Sequence, residues 1–187
     1  YRLLKDGTLE YTFECIPRAK TFNNGTIGLF WASYIHQPQD KAIYFKGVPT
    51  SKTTKPGWIR AVTPKHGVDS THPSSENRFV PKLDPNFPLT LVNHPSNYVY
   101  TEPRYYGLSG KMAFVQMFRM KDNIWFAQSP TGGGAKNPAW DFQWFVPKSQ
   151  VGKVYGFVMR AALVPYENRK QLIKATKSQL DDLNSAK

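Results

Sequence analysis

MAFVQMFRMKDNIWFAQ, residues 112–128, sets the fold class. Two short runs rich in aromatic and aliphatic residues, MAFVQMFR (112–119) and NIWFAQ (123–128), flank the polar MKDN (120–123). Runs of this length and composition read as strands. The four polar-leaning residues between them read as a short hairpin turn.

The pattern repeats outward from there. TLEYTFEC (8–15) alternates, placing Leu9, Tyr11 and Phe13 on one face. TIGLFWASYI (26–35) is a longer apolar run, as expected of a strand covered on both faces. AIYFKG (42–47), GWIRAV (57–62), WDFQWFV (140–146) and KVYGFVMRAALV (153–164) follow without helices between them. This predicts a mainly β chain of one domain, residues 1–187, an antiparallel, jelly-roll-like β-sandwich. Only the end reads as helix, at about 168–184. Asn168 can cap it, with Gln171 at the reciprocal position, and Leu172, Ala175, Leu180 and Leu183 form its apolar stripe.

Composition narrows the partners. No apolar run approaches the roughly 18 residues of a membrane span, so no membrane partner is expected. The lone Cys15 excludes an intrachain disulfide and a cysteine metal cluster. The net charge is +12, a field that attracts nucleic acid, anionic lipid or acidic polysaccharide. Basic residues form no block of five and no tail, and arginines such as Arg60, Arg78, Arg104, Arg119 and Arg160 stand singly. That spread suits a folded cleft and argues against nucleic acid. The chain begins at Tyr1, so a signal peptide can have been lost; a secreted or periplasmic location is expected, with the cytoplasm left open.

The segment 63–97 stands apart, with six prolines, four serines and three of the four histidines over its length. Long loops in compact domains are usually functional or disordered. Phe79, Phe87, Leu89 and Leu91 can anchor this one across the mouth of the sandwich. It contains TPKHGVDSTHP (63–73), which sets His66 and His72 on either side of Asp69. Histidine exchanges protons near neutral pH, and a neighbouring carboxylate sets its tautomer. His36 ends the strand SYIHQP, so His36, His66 and His72 can gather at one sheet end, with Asp69, Glu102 and Asp141 as acidic partners. The spacing of His66, Asp69 and His72 matches no standard metal motif, so no metal and no cofactor is expected.

In WDFQWF (140–145), Trp140, Phe142 and Trp144 share one strand face, while Asp141 and Gln143 share the other. A carboxylate beside an amide is a pair that grips sugar hydroxyls. Tyr34, Tyr105 and Tyr106, near turns, are expected to be exposed and free to stack on sugar rings.

NGTIGLFWASYIHQP, GWIRAVTPKHG, YYGLSGKMAFVQMF, FAQSPTGGG and NPAWDFQW resemble a branch of the galactose mutarotase-like β-sandwich proteins, across most of 24–166. The resemblance implies sugar binding on a sandwich face and histidine–carboxylate chemistry at an anomeric carbon. His36 and His66 match the sugar-contacting histidines; the family's C-terminal glutamate has no counterpart, and Asp141 stands in for it.

The sequence therefore predicts a carbohydrate-binding or carbohydrate-processing protein whose partner is an acidic or sulfated glycan. His36, His66 and Asp141 are its candidate catalytic residues. Arg60, His72, Arg104, Tyr106, Gln143 and Trp144 are its candidate sugar contacts. The alternative is a glycan-binding module without turnover.

Overall fold

The computed structural model describes residues 1–21, 24–51, 54–65, 67–76 and 95–185. Eleven strands run in the order β1 Arg2–Leu3, β2 Leu9–Cys15, β3 Ile27–Trp31, β4 Ile43–Pro49, β5 Gly57–Ala61, β6 Thr71–His72, β7 Tyr98–Ser109, β8 Met112–Phe118, β9 Ile124–Ser129, β10 Ala139–Val146 and β11 Tyr155–Pro165. Helix α1, Arg169–Ser185, closes the chain. The strands form a seven-stranded sheet, β1-β2-β11-β8-β7-β4-β5, and a four-stranded sheet, β3-β10-β9-β6. The ladders are antiparallel. The fold is thus an antiparallel β-sandwich with a C-terminal helix.

Alternation explains the layering. Phe45, Tyr105, Phe118, Phe157 and Met159 point inward from the large sheet, and Phe126, Trp140, Phe142 and Trp144 point inward from the small one. Their rings interlock: Phe118 meets Phe142 at 5.0 Å and Tyr100 stacks on Phe126 at 4.0 Å. The other face of the large sheet presents Tyr106, Ala113, Val115 and Met117 to Leu172, Leu180 and Leu183 of α1. Asn168 Oδ1 caps that helix by accepting the Gln171 N–H at 3.0 Å, as the sequence suggests. Among the described residues the Gln171 side-chain Oε1 has no partner, so the reciprocal arm of the box does not form. Thr176 rather than Ala175 fills the middle of the buried stripe.

MKDN is not a hairpin. It carries the chain from β8 in one sheet to β9 in the other. Arg119 pairs with Asp122 at 2.6 Å, the same carboxylate accepts the Val158 N–H at 3.0 Å, and Asn123 turns the chain at φ 54°. The rings of Phe118 and Phe126 then face each other across the core at 5.8 Å. Strand periodicity is the same whether the next strand lies alongside or folds over, so the pattern could not separate the two. Likewise β3 is an edge strand of alternating exposure, not one covered on both faces.

The longest strand, β7, is missing from the sequence reading because Pro103 interrupts it. Proline has no ladder donor and belongs at bulges. Against β4 the register jumps from Phe45↔Tyr105 to Gly47↔Tyr100, so the chain bulges there. The strand resumes with Tyr105 in the core and Tyr106 beneath the helix, both fully buried, which corrects the expectation that they are exposed.

Candidate functional site

A surface pocket of about 140 Å³ opens at the edge where β5 of one sheet approaches β6 of the other. Arg60, Ala61, Val62, Asp69, His72, Ser96, Asn97 and Tyr98 line it. It joins the two ends of the proline-rich segment, and each is tied down. Gln128 spends its whole amide on this: its carbonyl oxygen accepts the Thr63 N–H at 2.7 Å and its Nε2 donates to Lys41 O at 2.9 Å. Thr63 Oγ1 returns a hydrogen bond to Gln128 O at 2.8 Å. At the other end the Ser96 N–H donates to Thr71 O at 2.8 Å, and the Thr50 N–H to Asn97 O at 2.8 Å.

His72 sits in strand β6, not in a loop. Its ring packs on Phe45 at 4.7 Å and is 1% exposed. Nδ1 lies 2.6 Å from Ser96 Oγ, which also accepts the Tyr98 N–H at 3.1 Å. Among the described residues Nε2 has no partner, whichever nitrogen carries the proton. Burial pushes the imidazole down to about 3, so it is neutral and too weak a base to activate Ser96 near neutral pH. Arg60 holds Asp40 through two contacts of 3.1 and 2.7 Å. Burial raises the Asp40 carboxyl, but hydrogen bonds from Arg60, Tyr44 and the Ala42 N–H outweigh it and leave the group below its ordinary value. The Arg60 side chain remains 56% exposed at the pocket rim, beside the 38% exposed Tyr98.

Of the residues predicted from sequence, the pocket unites Arg60, Asp69 and His72. His66 lies outside the described residues, as do Arg78, His94 and the proposed anchors Phe79, Phe87, Leu89 and Leu91. His36 is exposed beyond β3, and His72 is on β6. β3 and β6 are opposite edges of the small sheet, three strand spacings or roughly 14 Å apart, so these two histidines form no dyad. Arg104 is not a substrate clamp. It is 2% exposed and joins Glu102 to Thr176 Oγ1 of the helix, the latter at 2.7 Å. Tyr106 is buried with it, stacked on Tyr44 at 5.1 Å and accepting a 3.1 Å hydrogen bond from Arg169; burial pushes its hydroxyl up to about 12. Trp144 is core, edge-on to Phe13 at 5.7 Å.

Asp141 and Gln143 do point away from Trp140 and Trp144, yet each is 1% exposed. The Asp141 Oδ1 accepts the Ser33 N–H at 2.7 Å. Burial raises its carboxyl to about 7, with the Ser33 N–H pulling the other way. Among the described residues neither amide atom of Gln143 has a partner, nor does Thr71 Oγ1, which the β10–β9–β6 register puts level with Asp141 on the same face. This polar set is separate from the pocket lining. The pocket residues that sequence reasoning missed are Ser96, Asn97 and Tyr98. Their signal, a turn-forming SNY leading into an alternating run, was masked by the prolines before it. Among the described residues no three His, Cys, Asp or Glu side chains gather as a metal site. No family model, curated protein or solved structure matches the chain.

Proposed function

We propose that the protein is a glycan-binding module that holds one residue of an acidic or sulfated sugar in the edge pocket, without turnover. The observation that carries this reading is the pairing of an exposed ring, Tyr98, with the exposed guanidinium of Arg60 over a polar floor of Ser96 and His72. A tyrosine ring packs on the apolar C–H face of a pyranose. Arg60 offers its remaining N–H groups to a carboxylate or sulfate in a planar fork. The +12 charge adds long-range attraction to polyanions. The volume, below the roughly 300–1,000 Å³ of enclosing sites, suits one ring of a longer chain. The low basicity of His72 and its separation from His36 favour binding over the acid–base chemistry of a mutarotase-like enzyme. Kinship with the galactose mutarotase-like proteins and a secreted or periplasmic location belong to the same proposal.

Titration with uronate-containing and sulfated oligosaccharides tests it. Tyr98→Ala and Arg60→Gln should each weaken binding about tenfold, roughly 1.4 kcal/mol, and Arg60→Gln should also flatten the salt dependence. A glycan array on which the wild type captures nothing would sink the reading. Turnover of a bound glycan, lost in the His72→Asn variant, would replace the binding module with an enzyme.

A further inference from the structure

At one end of the sandwich two connections between the sheets are clasped together, residues 16–21 and 24–26 after β2 and residues 147–154 before β11. The Ser149 N–H donates to Gly25 O at 2.6 Å and the Gly152 N–H donates to Pro17 O at 2.9 Å. A turn at Gly152, with φ 82°, puts Val151 at its tip, and Val154 follows just beyond it. These two valines are 53% and 54% exposed, and Ile16 across the clasp is 38% exposed. Arg18, Lys20, Lys148 and Lys153 are exposed around them. The two segments contain no acidic residue. Among the described residues none of the four cations is ion-paired, although the chain's other exposed or half-buried cations include several that are. Lys153 instead lies over the Tyr155 ring at 5.6 Å.

Exposed aliphatic side chains and exposed cations on the same two clasped segments, with Glu14 as the exposed carboxylate on the adjoining strand, form a surface with a specific complement. Apolar side chains exposed on adjoining segments and rimmed by polar residues are the kind of surface that marks an interaction site. A sugar or nucleobase would find no exposed ring to stack on in Ile16, Val151 and Val154. A bilayer supplies both halves of the match, hydrocarbon just below the surface for the aliphatic tips and anionic headgroups at the depth of the cations. We propose that this end of the sandwich docks on the surface of an anionic phospholipid bilayer, with Val151, Val154 and Ile16 entering the headgroup–acyl boundary. Docking of this kind needs no spanning segment, and no helix of the described residues is long and apolar enough to cross a membrane. The proposal stands independently of the glycan pocket, which shares no residue with the clasp.

The test is co-sedimentation of the full chain with vesicles of phosphatidylcholine alone and of phosphatidylcholine mixed with phosphatidylserine. Wild type should bind the mixed vesicles and leave the neutral ones in the supernatant. Each surface cation contributes about fivefold in affinity, so Lys148→Gln with Lys153→Gln should lower binding roughly 30-fold. Val151→Ser with Val154→Ser should lower it roughly tenfold while the protein remains as thermostable as wild type. A Val151→Trp variant adds a direct readout, a blue shift and gain of emission when mixed vesicles are added. Three outcomes overturn the proposal: no binding to mixed vesicles, equal binding by the lysine double variant, or binding that the valine double variant leaves untouched, which would mark a plain polyanion site.

Discussion

Trp140→Ala is expected to cost about 3–5 kcal/mol of folding stability, the usual range for removing a large buried aromatic. The indole is fully buried near the start of β10. Its Nε1 donates to Lys41 O at 3.0 Å, and its own carbonyl accepts from Tyr105 Oη at 2.9 Å and Gln116 Nε2 at 3.0 Å. The ring lies flat against the backbone of β7, where a Cβ on Gly107 would fall 2.5 Å from it. Gly107→Ala should therefore be destabilising on its own, by about 1–3 kcal/mol through overpacking. The two effects share one space. In the Trp140→Ala background the added methyl enters the cavity, so the double variant should be more stable than the sum of the single costs predicts. Urea unfolding of the four proteins measures this cycle. Strict additivity would show that indole and strand backbone are not in contact.

The second large effect concerns pH. Folding leaves His72 neutral, its value lowered from 6.5 to about 3, so between those limits the unfolded chain binds one more proton than the native one. Stability from this group rises with pH, by about 1.4 kcal/mol per pH unit, and is lost as pH falls toward 3. Asp141 does the opposite. Its value is raised from 3.8 to about 7, so the native state holds the extra proton and stability falls as pH climbs through that window. Where the windows overlap, from about 4 to 6.5, the two slopes cancel. Glu10 and Asp40, both held below their ordinary values, add slope only further to the acid side. In Asp141→Asn, which keeps an acceptor for the Ser33 N–H, stability should rise steeply from about pH 4 to 6.5. In His72→Asn it should fall over the same range and on to about pH 7. Denaturant titrations at half-unit pH steps would read these slopes. Three parallel curves would mean that neither group changes its protonation on folding.

How much of the site was legible depended on the reach of each signal. That Arg60, Asp69 and His72 line the pocket is legible in the sequence, because an arginine on a strand and polar residues near a sheet edge are local facts. Arg104 and Tyr106 were misplaced because the bulge at Pro103 is fixed by β4, distant in sequence, and by the helix that covers that face. Asp141 was assigned to the correct face of β10, but its burial is set by layers that periodicity does not encode.

By itself the sequence determined the antiparallel β class, the capped C-terminal helix, the inward Trp140, Phe142 and Trp144, and the strongly basic balance. All of these follow from period-two alternation, capping chemistry and charge count, which act over a few residues or over the whole composition. Only the tertiary structure decided that MKDN crosses between sheets, that β7 continues through Pro103, and that His36 and His72 stand on opposite edges. It alone brought Ser96, Asn97 and Tyr98 to Arg60, and clasped Pro17 and Gly25 against Gly152 and Ser149. Strand order is chosen by which apolar faces can be buried against each other across the whole domain. An alternating strand carries its face but not the address of its neighbour.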